Sequence, residues 1–436
     1  MKNLFALSLF LLLISTCRNE DDDVPSCPGE HPSFEVSYTI PTSENNHIDR
    51  TDWTFVSDAN GTVLKDYRAD WGTTKRMILT DHCTEDLDFS IVYARDGYGF
   101  EGLETIVEIN TLTSVETGKD FSTPNKHGSN RTYSPPGLRI IINNTPEDLE
   151  EISFVRNSLN ATPVSLDHDN HIGYISISGS IPNQKPIFVT TKRSSETIQR
   201  GFIMPPPPYF YNNELTLDYQ DFTVISEPQT VRFPYLENWR YELYGTYEEA
   251  PIKDLYISHG LINEDSTQPA DEVTLMVPND STTTPIIFKA FTSYGNGVGM
   301  STTTLPEQIE LAPSGLDGNL NSRSCDFFNT EGLDLVVASW YYFTINYEGR
   351  KYRCTWNVYL DPTATSSYTL PELPVALLER LPFLSELDNP TGLHLCGTQF
   401  SGPSTYREVS PQYFYNESDR FWQERIGYQR ECVNIE

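Results

Sequence analysis

The chain has 436 residues, and its 61 acidic against 30 basic side chains give a formal net charge of −31. Phosphate backbones require a positive groove or patch. The densest basic stretches, Thr191-Lys192-Arg193 and Arg350-Lys351-Tyr352-Arg353, are short and set among acids. Nucleic acid is therefore not expected as a partner, and the same charge opposes adhesion of the body to anionic lipid.

In chain order, Lys2 precedes an apolar run, residues 4–14, that contains no charged side chain. That run is shorter than the roughly 20 residues a membrane-crossing helix needs, so residues 1–16 read as a signal peptide rather than an anchor. The order Leu13-Ile14-Ser15-Thr16-Cys17 resembles a bacterial lipobox. The resemblance implies cleavage before Cys17 and lipid on that cysteine, the one membrane contact expected. At about 0.8 kcal/mol per buried CH₂, two or more acyl chains suffice for stable anchoring. Arg18-Asn19-Glu20-Asp21-Asp22-Asp23 is too charged to bury anything, so residues 17–30 are expected to form a solvated tether. Taken blandly, this run is a soluble spacer. Cys17 followed at once by acids is also similar to the export signal of surface lipoproteins in Bacteroidota-type bacteria, which implies an outer-membrane address facing the exterior. It implies no activity.

Six further cysteines remain: Cys27, Cys83, Cys325, Cys354, Cys396 and Cys432. Outside the cytoplasm such thiols pair. Their spread favours Cys27 with Cys83 and the last four among themselves. A zinc knuckle lacks its local half-site, because no C-x-x-C occurs.

The body reads as short strands and turns, giving a mainly β chain of tandem antiparallel β-sandwich (Ig-like) domains with a disulfide-containing C-terminal β-rich domain. The first unit is expected at 31–124. It contains an alternating strand at 34–40 and a hairpin about Asn60-Gly61, where both residues tolerate the positive φ of a type I′ turn. A second β domain at 125–208 ends in Pro205-Pro206-Pro207-Pro208, a stiff connector that cannot donate ladder hydrogen bonds. A third occupies 209–312. The last, 313–436, holds two strands about Asn346-Tyr347-Glu348-Gly349-Arg350, with Cys354 on the apolar face of the return strand. Leucines at helical spacing over 372–387, interrupted by Pro374 and Pro382, predict one split helix.

Catalytic signatures are absent from the sequence: no G-x-S-x-G, H-E-x-x-H or G-x-x-x-x-G-K-[ST] occurs. No cofactor is expected. Gly295-Asn296-Gly297-Val298-Gly299 reads as a strand connection. Asp167, Asp169 and His171 alternate along an extended segment and are the metal-ligand candidates, although an EF-hand loop would want Gly where Ile172 stands. Trp71, Trp239 and Trp422 lie outside regular strand patterns and are the candidates for exposed rings that stack on a sugar. The functional expectation is a lipid-anchored cell-surface protein of binding or scaffolding type with a glycan or protein ligand. The competing class is a surface hydrolase whose site is assembled from distant residues.

Overall fold

The computed structural model describes residues 34–39, 50–69, 74–79, 87–99, 102–121, 138–155, 165–177, 186–204, 214–234, 239–246, 254–262, 272–279, 286–292, 295–310, 315–387, 389–401, 405–414 and 427–435. The signal peptide, the tether with Cys17, and Cys27, Cys83, Trp71, Trp422 and the four prolines lie outside the described residues. The chain is mainly β.

One twelve-stranded sheet organises it. In spatial order its strands are Asp254–Ile262, Trp239–Thr246, Ile286–Thr292, Gly297–Thr302, Tyr428–Ile435, Gly392–Phe400, Leu335–Tyr347, Arg350–Leu360, Gly102–Val115, Leu87–Gly99, Arg50–Ser57 and Val63–Ala69. Neighbours are antiparallel except at one seam, where Arg350–Leu360 runs parallel to Gly102–Val115 from Tyr352↔Thr105 to Tyr359↔Leu112. A parallel pairing cannot be closed by a tight turn and needs a long crossover. Here the whole middle of the chain supplies it.

The two faces of this sheet carry separate cores. On one, Trp340 and Trp356 oppose each other across the Leu335–Tyr347 and Arg350–Leu360 pair. They are buried with Phe55, Val107, Ile109, Leu377 and Phe383. The small sheet of Asp317–Asn321, Ser324–Phe328 and Ser367–Thr369 contributes Cys325 and Phe327 to the same core. On the other face, Phe89, Leu112, Leu335 and Val337 are buried with Phe34, Val36 and Met77 from the sheet of Thr74–Leu79, Phe34–Thr39 and Lys119–Asp120. Helix Tyr406–Phe414 adds Tyr406 and Val409. Two further sheets lie at the other end. Leu149–Val155, Ile187–Arg193 and Gln199–Met204 share a core with Leu138–Asn143, Ile172–Ile177 and Glu214–Asp218. Phe188, Val231 and Leu275 meet Trp239, Leu243 and Phe288 of the large sheet.

The cores do not follow the boundaries expected from the sequence. Segments 31–124 and 313–436 share both faces of the central sheet. Glu214–Asp218, beyond the prolines, pairs in parallel with Leu138–Asn143, and Val224–Arg232 extends the sheet through Gln199–Met204. Local patterning specifies strands but not which distant strand each meets.

Local chemistry explains the turns. Glu348 and Gly349, at φ 50° and 78°, make the tight reversal between Tyr347 and Arg350. At Asn60-Gly61 the outcome differs from a two-residue type I′ turn. Only Gly61 has positive φ, at 82°; its N–H donates to the Asp58 carbonyl, and the Asp58 carboxylate accepts from the N–H groups of Asn60 and Thr62. The Asp58 side chain takes over turn bonding, which favours the longer loop. The expected split helix is found as Val375–Arg380 followed by the 3₁₀ turn Pro382–Glu386, with Pro382 unable to continue the first helix's hydrogen bonding.

The buried Tyr406 hydroxyl ties its helix to the seam. It lies 2.6 Å from the Tyr359 carbonyl and 3.1 Å from the Thr113 carbonyl and hydroxyl. Tyr406→Phe is therefore expected to cost about 1 kcal/mol by removing a buried hydrogen bond, the Tyr359 carbonyl still accepting from the Thr113 hydroxyl at 2.9 Å. Urea denaturation of the two proteins checks this, as a lower midpoint at unchanged slope.

Candidate ligand-binding face

Side chains alternate across a strand, so Leu335, Val337, Ser339, Tyr341 and Phe343 share one face of Leu335–Tyr347. Leu335 and Val337 lie in the second core. Further along, the packing gives out: Ser339 is buried, Tyr341 half-buried, and Phe343 is 52% exposed. The Tyr341 and Phe343 rings are stacked with their planes nearly parallel, 7° apart, and their centroids at 5.5 Å.

Thr391 fixes the backbone beneath them. Its N–H and hydroxyl both donate to the Tyr341 carbonyl at 2.7 Å, and its oxygen accepts the Phe343 N–H at 3.2 Å. The register of the strand against Arg350–Leu360 shifts between Tyr342 and Ile345, and such irregularities re-aim side chains at sites. The Arg353 guanidinium stands 5.8 Å from the Phe343 centroid and pairs with Glu104 at 3.4 Å. Glu104 is buried, so the arginine is anchored rather than free to fold away.

Polar groups continue along the sheet. Asn357, opposite Ser339, donates to the Asn110 side-chain oxygen at 3.0 Å, and Asn110 donates to Glu108 at 3.1 Å. On the other flank the His394 ring lies 6.3 Å from Tyr341, tilted by 36°. Burial raises the Tyr341 pKa above the ordinary phenol value, opposed by a hydrogen bond with Ser339 and the charge of Arg430. Tyr341 thus offers a neutral hydroxyl and an aromatic face at physiological pH. A stacked pair of rings flanked by amides, a hydroxyl, a carboxylate and a guanidinium can offer an apolar ring face to a ligand and hydrogen-bond its substituents.

Other expected site residues are placed differently. Trp239 is 0% exposed, packs on Phe233 at 5.5 Å and donates its indole N–H to the Pro234 carbonyl; it is a core residue and not a stacking platform. Trp53, Trp340 and Trp356 are buried as well. The Asp167, Asp169 and His171 set does not converge. Asp167 ends Ser165–Asp167 and accepts both the N–H and the side-chain N–H of Asn170, which lower its pKa. Asp169 lies in the turn, and His171, at φ 55°, directs Nδ1 to the Thr145 carbonyl at 3.0 Å. The turn breaks the alternation that would have aligned the three.

The cysteine expectation is corrected in part. Cys396 and Cys432 face each other on adjacent strands and form a disulfide. Cys325 and Cys354 are buried free thiols. Cys354 lies beside Tyr342 and Val107 in the central sheet, while Cys325 belongs to the covering sheet opposite Leu320 and Tyr368. Burial pushes the Cys325 thiol up to about 12 and raises Cys354 too. Both behave as small apolar groups.

No family model matches this sequence, and no curated protein matches it at a level that marks a relative. The candidate face therefore rests on geometry.

Because Tyr341 titrates above an unfolded tyrosine, its contribution to stability is full below the unfolded phenol value, near pH 10, and is lost as pH rises through the folded value. Tyr341→Phe should flatten the alkaline fall in stability and remove one late-titrating phenol. Spectrophotometric titration with denaturation at several alkaline pH values checks both.

Proposed function

We propose that the chain is a lipid-anchored binding protein of the bacterial outer membrane, exposed at the cell surface, whose Tyr341–Phe343 face takes a carbohydrate ligand. The carrying observation is Phe343, a large apolar ring left 52% exposed and stacked on Tyr341. Ile225, Phe328 and Val375 are exposed too, but Phe343 is the one whose ring stacks on a second aromatic ring and has a guanidinium beside it, which suits stacking on a sugar. Arg353, paired with Glu104, stands beside it, and Asn357, Asn110 and Glu108 continue the polar groups along the sheet from Ser339, which suits the hydroxyl-rich edge of a sugar. The lipobox-like Leu13-Ile14-Ser15-Thr16-Cys17 and the acids after it support the address.

Binding is read with a glycan array followed by calorimetry on any hit. Phe343→Ala should weaken the hit by roughly five- to tenfold, the size of a lost aromatic stacking contact. Stability should stay within about 0.5 kcal/mol, as for an exposed side chain. Unchanged affinity in that variant would remove the face from consideration.

The address is tested separately by protease shaving of intact cells. The natural sequence should be shaved. Replacement of residues 20–23 by Ala should leave the protein membrane-bound but protected, and Cys17→Ala should release it from the membrane. A membrane-bound Cys17→Ala protein would contradict lipid anchoring.

A further inference from the structure

Beside the aromatic face, three side chains with soft-metal chemistry come together on Gly392–Phe400 and Tyr428–Ile435. Cys396 and Cys432 are directly opposed in register, and His394 stands two residues before Cys396 on the same face of its strand. The ligand atoms of all three lie within 4.8 Å of one another, and the His394 nitrogens are 3.7 and 3.8 Å from the Cys396 sulfur. Tetrahedral zinc with Zn–S of about 2.3 Å and Zn–N of about 2.0–2.1 Å separates its ligand atoms by about 3.5–3.8 Å. The histidine is already at that distance. The two sulfurs, joined as a disulfide, would have to part.

The loop beside the cluster is shaped around it. Gly295, at φ 92°, lies so close that a Cβ there would come within 2.9 Å of the Cys432 sulfur and 3.5 Å of His394 Cε1. Its neighbour Asn296 accepts the Cys432 N–H through its side-chain oxygen at 2.6 Å. Glycine and asparagine here bring a backbone against the sulfurs without filling their space. Because two antiparallel strands and this loop hold the ligands, their positions are set by the sheet.

We propose that Cys396, Cys432 and His394 form a redox-gated site for a thiophilic d¹⁰ cation, Zn²⁺ or Cu⁺, closed in the disulfide form and open after reduction. A small-molecule or protein dithiol supplies two electrons and two protons. The S–S bond breaks, two thiols form, and the donor becomes its own disulfide. Zn²⁺ then replaces the two thiol protons, which are released, and His394 contributes a neutral nitrogen. Three protein ligands leave a fourth position for water or an outside ligand.

The test uses the full chain, prepared once with the disulfide intact and once reduced with a phosphine and kept anaerobic. Zn²⁺ is titrated against a chromophoric chelator, and Co²⁺ serves as a spectroscopic stand-in. Reduction should create one additional zinc equivalent and a cobalt spectrum with thiolate charge-transfer and tetrahedral d–d bands. His394→Ala, which leaves the disulfide in place, should weaken that equivalent by roughly tenfold or more. The Cys396→Ser/Cys432→Ser protein should lack it, which separates this site from the chain's other thiols. Equal zinc uptake by oxidised and reduced protein, or full retention in His394→Ala, would overturn the proposal.

Discussion

The parallel seam between Gly102–Val115 and Arg350–Leu360 joins stretches of chain whose side chains meet across some 245 positions of sequence, as Trp356 does in donating to Thr111 at 2.9 Å. Without it, two antiparallel strand groups would each present unpaired edges and half-covered apolar faces. With it, Trp340, Trp356, Val107 and Ile109 share one core, and Leu112, Val337 and Tyr359 share another. A contact of such sequence separation pays a large loop-closure entropy, which makes it slow to form.

The candidate face follows from where the covering layers stop. Helix Tyr406–Phe414 and the sheet containing Phe34–Thr39 cover the end of the central sheet near Leu335 and Val337. Ser339, Tyr341 and Phe343 run out beyond that core, and their polar neighbours come from both sides of the seam: Asn110 and Glu108 from one segment, Asn357 and Arg353 from the other. Neither segment builds this face alone. The sulfur cluster adjoins it through His394, whose ring lies near both Tyr341 and Cys396.

The β class, the hairpin at Glu348-Gly349, the split helix at Pro382 and the apolar position of Cys354 were legible, because each depends on residues within a turn or two. The site was not. In Trp340-Tyr341-Tyr342-Phe343 both faces of the strand are aromatic, so alternation alone cannot say which is covered. The irregular context of Trp239 suggested exposure, yet Phe233 and the Pro234 carbonyl enclose it. The pairing of Cys396 with Cys432, rather than with Cys325 or Cys354, depends on two strands separated by a helix becoming neighbours. Spacing carries no record of that. Composition likewise carries no record of core membership: Met204 and Leu217, on either side of the prolines, share one core.

Native-state hydrogen exchange of the full chain, read by mass spectrometry under increasing urea, tests the seam across which the candidate binding face is built. Amides of 105–112 and of 352–359 should open together, with one free energy and one urea dependence, as parts of one cooperative unit. If 105–112 stays protected while 352–359 exchanges, the two segments are independent domains. The shared binding face built across them would then be wrong.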